Sequence, residues 1–211
     1  MKASTYKILA FDTSTEQMSI AVQNGNATFG YVGVGGAQAS SRLIPEIQIL
    51  MTKAGLSLQD LDGIAFGAGP GAFTGLRASC AVAQGLGFGA NVPLFPINTL
   101  HAVALQRYRM AGQLKITAAL DARMGEMYWQ DFDFSNDALG VPIGEPALSK
   151  ADSQSWQLGT LPAAHVLLDL AGSMLAKGQQ IRPADALPIY VRNKVAETTA
   201  EREAAKMQAT A

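Results

Sequence analysis

The stretch Ile64–Ala90, IAFGAGPGAFTGLRASCAVAQGLGFGA, decides how the rest of the chain is read. A short apolar run, Ile64 to Phe66, leads into Gly67, Gly69, Gly71 and Gly75, and a helix-compatible segment runs from Thr74 onward. Strand, glycine loop and helix start in this order leave backbone amides free at a helix N-terminus, where the macrodipole adds partial positive charge. Gly69, Gly71, Thr74 and Gly75 are therefore a candidate anion-binding loop. The phosphate-loop pattern is not met: it asks for Lys and Ser/Thr after the last glycine, and Leu76 and Arg77 stand there.

At about 100° per residue, Ala78, Ala81, Gly85 and Gly89 share one narrow helix face, with Val82 beside it, while Leu76, Cys80, Ala83 and Leu86 lie on another. One face is almost bare backbone. Glycine in a helix costs up to about 1 kcal/mol relative to alanine, so this line implies very close approach by another helix, within the chain or on a partner.

The 211 residues fit one large or two small lobes. With 48% hydrophobic and 16% charged residues the chain has material for a core and too little charge for disorder. A formal net charge of −1 supplies no global basic field for independent nucleic-acid binding. The single cysteine, Cys80, excludes an intramolecular disulfide and reads as a small buried group. No leader pattern opens the sequence and no run reaches membrane-spanning length, so a cytoplasmic protein without membrane contact is expected.

Along the chain, Tyr6 to Phe11, Met18 to Gln23 and Ala27 to Val34 predict three antiparallel strands, with Asp12-Thr13-Ser14-Thr15 as a polar turn and Asn24-Gly25 as a hairpin signal. A helix from about Ser40 to Ala54 places Leu43, Ile44, Ile47, Leu50 and Met51 on its core stripe and leaves Ile49 outside it, a candidate protein contact. Leu61 to Phe66 and Pro93 to Ile97 read as strands, and Asn98 or Thr99 caps a helix through about Ala111. Lys115 to Leu120, then Asp121, a turn containing Gly125, and Glu126 to Phe134 form a further hairpin. LAFDTSTEQMSIAV and AALDARMGEMYWQD align, setting Asp12 against Asp121 and Met18 against Met127. A strand ending in aspartate and followed by a hairpin, at the head of each half, is how the two lobes of the actin-like ATPase fold begin.

KILAFDTSTEQMSIAV, GAGPGAFTGLRASCAVAQGLGFG and ALDARMGEMYWQDF, in this order, resemble the bacterial TsaB family, also called YeaZ, and ALPIYVRNKVA is similar to that family's closing strand. The resemblance covers nearly the whole chain. It implies an α/β, two-lobed actin-like (ribonuclease H-like) fold with mixed sheets and a degenerate nucleotide site, divided here as an N-terminal lobe, 1–98, and a smaller C-terminal lobe, 99–211. It also implies a non-catalytic scaffold for forming N6-threonylcarbamoyladenosine beside the anticodon of tRNAs that read codons starting with A. In that family TsaB pairs with the paralogous catalytic subunit TsaD through N-lobe helices, or with itself through the same face. TsaE, an ATPase, joins the complex, TsaC supplies the threonylcarbamoyl-adenylate, and tRNA is met only through the complex. The expected partner interface is Ile49, Ala78, Ala81, Val82, Gly85 and Gly89.

The residues bear on catalysis directly. After Asp121 come Ala122, Arg123 and Met124, a cation and bulk where a phosphate cradle needs Gly and Ser/Thr, and Gly159, Gly172 and Gly178 stand isolated in the late segment. No ATP site, cofactor or catalytic residue is expected. The two histidines, His101 and His165, lack the one-turn spacing of a helical metal pair, so no metal site is expected; His101 reads as a polar surface or capping residue and His165 as exposed. Asp12 and Asp121 are candidate cleft carboxylates, with the alternative that both cap turns. A glycoprotease-like metallohydrolase, the other activity grouped in this superfamily, would need a metal or nucleophile that the sequence does not provide. The sequence departs from the family in GGAQASSRLIP, which lacks a histidine ahead of the first helix. It departs again in a short connection from Trp156 to Leu168, read as a trimmed second lobe or a missing loop. The alanine-rich, charged tail, Ala196 to Ala211, reads as a frayed helix or disordered.

Overall fold

A computed structural model describes residues 6–153 and 156–192. The first sheet grows from a meander: β1 (Lys7–Asp12), β2 (Gln17–Asn24) and β3 (Ala27–Val34) pair antiparallel, Asp12 opposite Ser19 and Asn24 opposite Ala27. On the other side of β1 the parallel strands β4 (Gly63–Gly69) and β5 (Leu94–Asn98) complete the order β3-β2-β1-β4-β5. Parallel neighbours need crossovers, and these are α1 (Ala39–Ala54), which precedes β4, and α2 (Phe73–Ala90), which joins β4 to β5.

β1 and β4 are near-continuous apolar runs because both faces of the sheet are covered. Leu9, Phe11, Ile20, Val22, Ile64 and Phe66 share a core with α1 and α2. The alternate residues Ile8, Ala10, Ala21, Ala65, Phe95 and Ile97 share a second core with α3 (Thr99–Ala111) and α4 (Ala164–Ala176). A three-stranded antiparallel sheet, β6 (Lys115–Arg123), β7 (Glu126–Asp133) and β8 (Val141–Lys150), feeds Ile116, Ala118, Leu120 and Ala122 into that second core. The echo seen in the sequence is structural: β1–β2 and β6–β7 are both antiparallel hairpins, with Asp12 closing β1 opposite Ser19 and Asp121 two residues short of the end of β6 opposite Met127.

Several expectations are corrected. Ile44, assigned to the core stripe of α1, is 42% exposed, because the buried line runs through Leu43, Ile47, Leu50 and Met51 and leaves Ile44 at its edge. The connection read as extending to Leu168 ends at Ala163, where α4 begins. Its start has no local capping side chain; the first free amide, Ala164 N, donates instead to Ser19 Oγ of β2 at 2.8 Å, a partner 145 residues away. The segment resembling a closing strand forms no ladder over residues 187–192 and makes one main-chain bond, Ile189 N to Ala68 O at 2.7 Å. Asn193–Ala196 and the tail from Ala196 to Ala211 lie outside the described residues. His101 is not a surface residue: its Nε2 lies 2.8 Å from the Leu139 carbonyl and 3.1 Å from that of Gly140, and its ring stacks on Phe132 at 4.9 Å. Burial pushes its pKa down, so the neutral ring pins the 139–140 loop. His165 is exposed, as read.

Candidate functional site

The chain itself packs against part of the glycine loop. A Cβ at Gly75 would lie 1.9 Å from the Thr13 carbonyl oxygen, and one at Gly67 would lie 1.7 Å from Asp12 Oδ2. These glycines let the β1–β2 turn press against the start of α2. The contact is hydrogen-bonded: Ala72 N donates to Ser14 O at 2.7 Å, Thr13 Oγ1 to Gly75 O at 2.8 Å, and Gly69 N to Thr99 Oγ1 at 3.2 Å. The amides of Gly69 and Ala72 are thus committed inside the fold. Thr74 is exposed, and Gly71 faces a cavity.

The two aspartates occupy unlike surroundings. Asp12 is wholly buried; its Oδ1 accepts from Ser14 N at 2.7 Å and Ser14 Oγ at 2.6 Å, and its Oδ2 accepts from Thr99 Oγ1 at 3.4 Å. Burial pushes its pKa up, and the three hydrogen bonds offset part of that rise. Asp121 is exposed; its Oδ1 accepts from Arg123 N at 2.7 Å and its Oδ2 meets the Arg123 guanidinium at 3.0 Å. Each carboxylate closes a turn two residues ahead, the alternative weighed for this pair in the sequence.

Between the sheets lies a cavity of about 650 Å³. Its walls are the β1–β2 turn at Ser14 and Thr15, the start of α2 at Phe73 and Leu76, the β6–β7 hairpin at Asp121 and Arg123, and residues 189–192. The hairpin turn carries no phosphate cradle. Arg123 and Met124 both adopt positive φ, 64° and 57°, a conformation costing roughly 1–2 kcal/mol for each residue with a Cβ. Among the described residues no three of His, Cys, Asp and Glu gather to hold a metal ion. No helix of the described residues is long and apolar enough to cross a membrane.

The small-residue face of α2 is open. Leu76, Cys80, Ala83 and Gly87 turn inward, whereas Ala81, Gly85 and Gly89 are exposed and Ala78 and Val82 half-buried. Among the described residues, a Cβ added at Gly85 or Gly89 would meet nothing within 4 Å. Packing among the described residues therefore gives no reason for those two glycines. Ile49 on the neighbouring α1 is 47% exposed. Phe88, not selected from the sequence, is 62% exposed on the flank of this face; the available signal was an aromatic falling off the buried line of a helix otherwise poor in large side chains.

A five-stranded mixed sheet and a second sheet headed by the same aspartate hairpin, with helices between and without a phosphate-binding second turn, define a two-lobed actin-like, ribonuclease H-like protein. Residues 34–169 match the TsaD family, described as tRNA N6-adenosine threonylcarbamoyltransferase. The chain is 34% identical to the tRNA threonylcarbamoyladenosine biosynthesis protein TsaB of Escherichia coli K12, over 90% of this chain and 96% of that one. It is 30% identical to TsaB of Haemophilus influenzae Rd, over 89% of this chain and 94% of that one. The solved structure of YeaZ from Pseudomonas aeruginosa superposes with a TM-score of 0.81 at 31% identity, covering 88% of this chain and 99% of that one. The chain belongs to the TsaB (YeaZ) family.

Proposed function

We propose that this protein is a non-catalytic scaffold subunit in the formation of threonylcarbamoyladenosine in tRNA, and that it works by presenting the α1–α2 face to a TsaD-like catalytic paralogue. The open small-residue line on α2 carries this reading. Glycines at 85 and 89 weaken the helix and pack against nothing among the described residues, which is the expected state of a face kept bare for a second helix. Ile49, Ala78, Ala81, Val82, Gly85 and Gly89 form the docking surface, and in the absence of the partner the same surface pairs two copies of the chain. A TsaE-like ATPase joins the assembly, tRNA is engaged only through it, and the protein acts in the cytoplasm without a cofactor of its own. The N-terminal lobe, residues 1–98, carries the docking helices; the C-terminal lobe, 99–211, holds the second sheet and returns α4 and residues 186–192 to the first. Among the described residues, no cluster of His, Cys, Asp and Glu supports the metallohydrolase reading.

The test is Gly85→Leu. The added side chain has open space in the monomer, so the fold is retained, while a helix seated on the face is displaced. Association with the TsaD-like paralogue, measured by titration calorimetry, should weaken at least 100-fold; unchanged affinity refutes the proposal.

A further inference from the structure

We propose that Arg192 is a positioning residue for the docking helix, acting across the cleft through a strap formed by residues 186–192. This rests on the docking reading above. The strap runs antiparallel along one flank of α2. Pro183, just ahead of it, lies beside Gly87, where an added Cβ would stand 2.9 Å from its Cγ. The Ala186 carbonyl accepts from Gln84 Nε2 at 3.0 Å and from Cys80 Sγ at 3.5 Å. Tyr190 OH accepts from Arg77 Nε at 3.2 Å, and the Tyr190 ring lies 5.7 Å from that of Phe73. Between these contacts, Ile189 N donates to Ala68 O at the end of β4. The strap therefore touches α2 along most of its length. At about 100° per residue, Arg77 and Gln84 flank the Ala78-Ala81-Gly85 line on the same side.

The far end of the strap is fixed to the other lobe. The Arg192 guanidinium donates to the Arg123 carbonyl at 3.3 Å and to Met124 Sδ at 3.4 Å, and forms an ion pair with Glu126. Its side chain is only 13% exposed. These three acceptors belong to a turn in which two successive residues with side chains hold positive φ, and such a turn persists only where its surroundings hold it. One planar, five-donor fork therefore holds a strained hairpin on one wall of the cavity and ends a strap that braces the docking helix on the other. A partner seated on α2 loads Arg77 and Gln84, and the strap carries that load to the hairpin. By linkage, the factor by which a seated partner favours the ordered hairpin is the factor by which loosening the hairpin weakens affinity at α2.

The experiment is hydrogen exchange of the full chain with and without the TsaD-like paralogue, for wild type, Arg192→Met and Arg192→Lys. In wild type the partner should slow exchange of the α2 amides and, several-fold, those of residues 123–126. In Arg192→Met the α2 protection should persist at about three- to tenfold weaker affinity while protection of the hairpin is lost, and Arg192→Lys, which keeps only a point charge for Glu126, should fall between and serves alone should the methionine variant not fold. Hairpin exchange indifferent to the partner in wild type overturns the proposal. So does hairpin protection that survives equally in the variants, which signals direct contact. Absence of α2 protection in wild type overturns the docking reading itself, and the coupling with it.

Discussion

Replacing both Gly85 and Gly89 by alanine sets folding and docking against each other. Each glycine costs a helix interior roughly 0.5–1 kcal/mol relative to alanine, and among the described residues an added Cβ at either position meets nothing within 4 Å. The double variant should therefore gain about 1–2 kcal/mol of monomer stability. For a chain of 211 residues that raises the melting temperature by roughly 2–8 °C. The same two methyl groups stand on the docking surface, where a helix approaching at backbone distance has no room for them, and affinity for the TsaD-like paralogue should fall about tenfold or more. Scanning calorimetry on dilute protein, to keep self-association out of the transition, gives the first quantity, and titration calorimetry gives the second. A variant that melts lower than wild type would show that the face is packed inside the fold, and a stabilised variant with undiminished affinity would show that the partner sits elsewhere.

Asp12 makes stability depend on pH. Its folded pKa is raised by burial, so its contribution is complete below the unfolded value near 3.8 and is lost as pH rises through the folded one. Asp12→Asn should thus gain on wild type in urea midpoint as pH rises from 4 upward, and parallel midpoint curves would refute this. Gly75→Ala drives a methyl to within 1.9 Å of the Thr13 carbonyl and should cost about 3 kcal/mol or more in chemical denaturation; a near-neutral effect would mean that the turn yields freely. Ser19→Ala removes the acceptor for the first amide of α4 and should cost about 1–2 kcal/mol, where no loss would show water taking its place.

Most of the first lobe was legible because its signals are local. Alternation and unbroken apolar runs mark β1 to β4, Asn24-Gly25 marks the hairpin, and Asn98 does cap α3, accepting from Leu100 N at 2.9 Å. The two bare glycines of α2 were visible as a pattern, but whether the pattern faced in or out depended on what covered it. The elements that were missed are the ones whose determinants are distant. α4 takes its cap from Ser19, and β8, with Pro142 and Pro146, lacks a clean strand pattern and is defined by pairing with β7. The packing of the glycine loop was hidden for the same reason: the Thr13–Ser14 backbone that lies against it comes from about sixty positions earlier. Arg192 could not be singled out, since its meaning lies in carbonyl, sulfur and carboxylate acceptors about seventy positions earlier.

The long reach from Ala164 to Ser19 has a consequence for how the protein is made. β1 and β2 leave the ribosome early, but the helix that shields their Ile8, Ala10 and Ala21 side follows 145 residues later, an interval on the order of ten seconds at ordinary elongation rates. During that interval the nascent sheet carries an incompletely shielded oily side. Until α4 has been translated, that side is a landing place for chaperones, and transcripts cut short before α4 should yield polypeptides cleared by proteolysis instead of shortened, usable scaffolds.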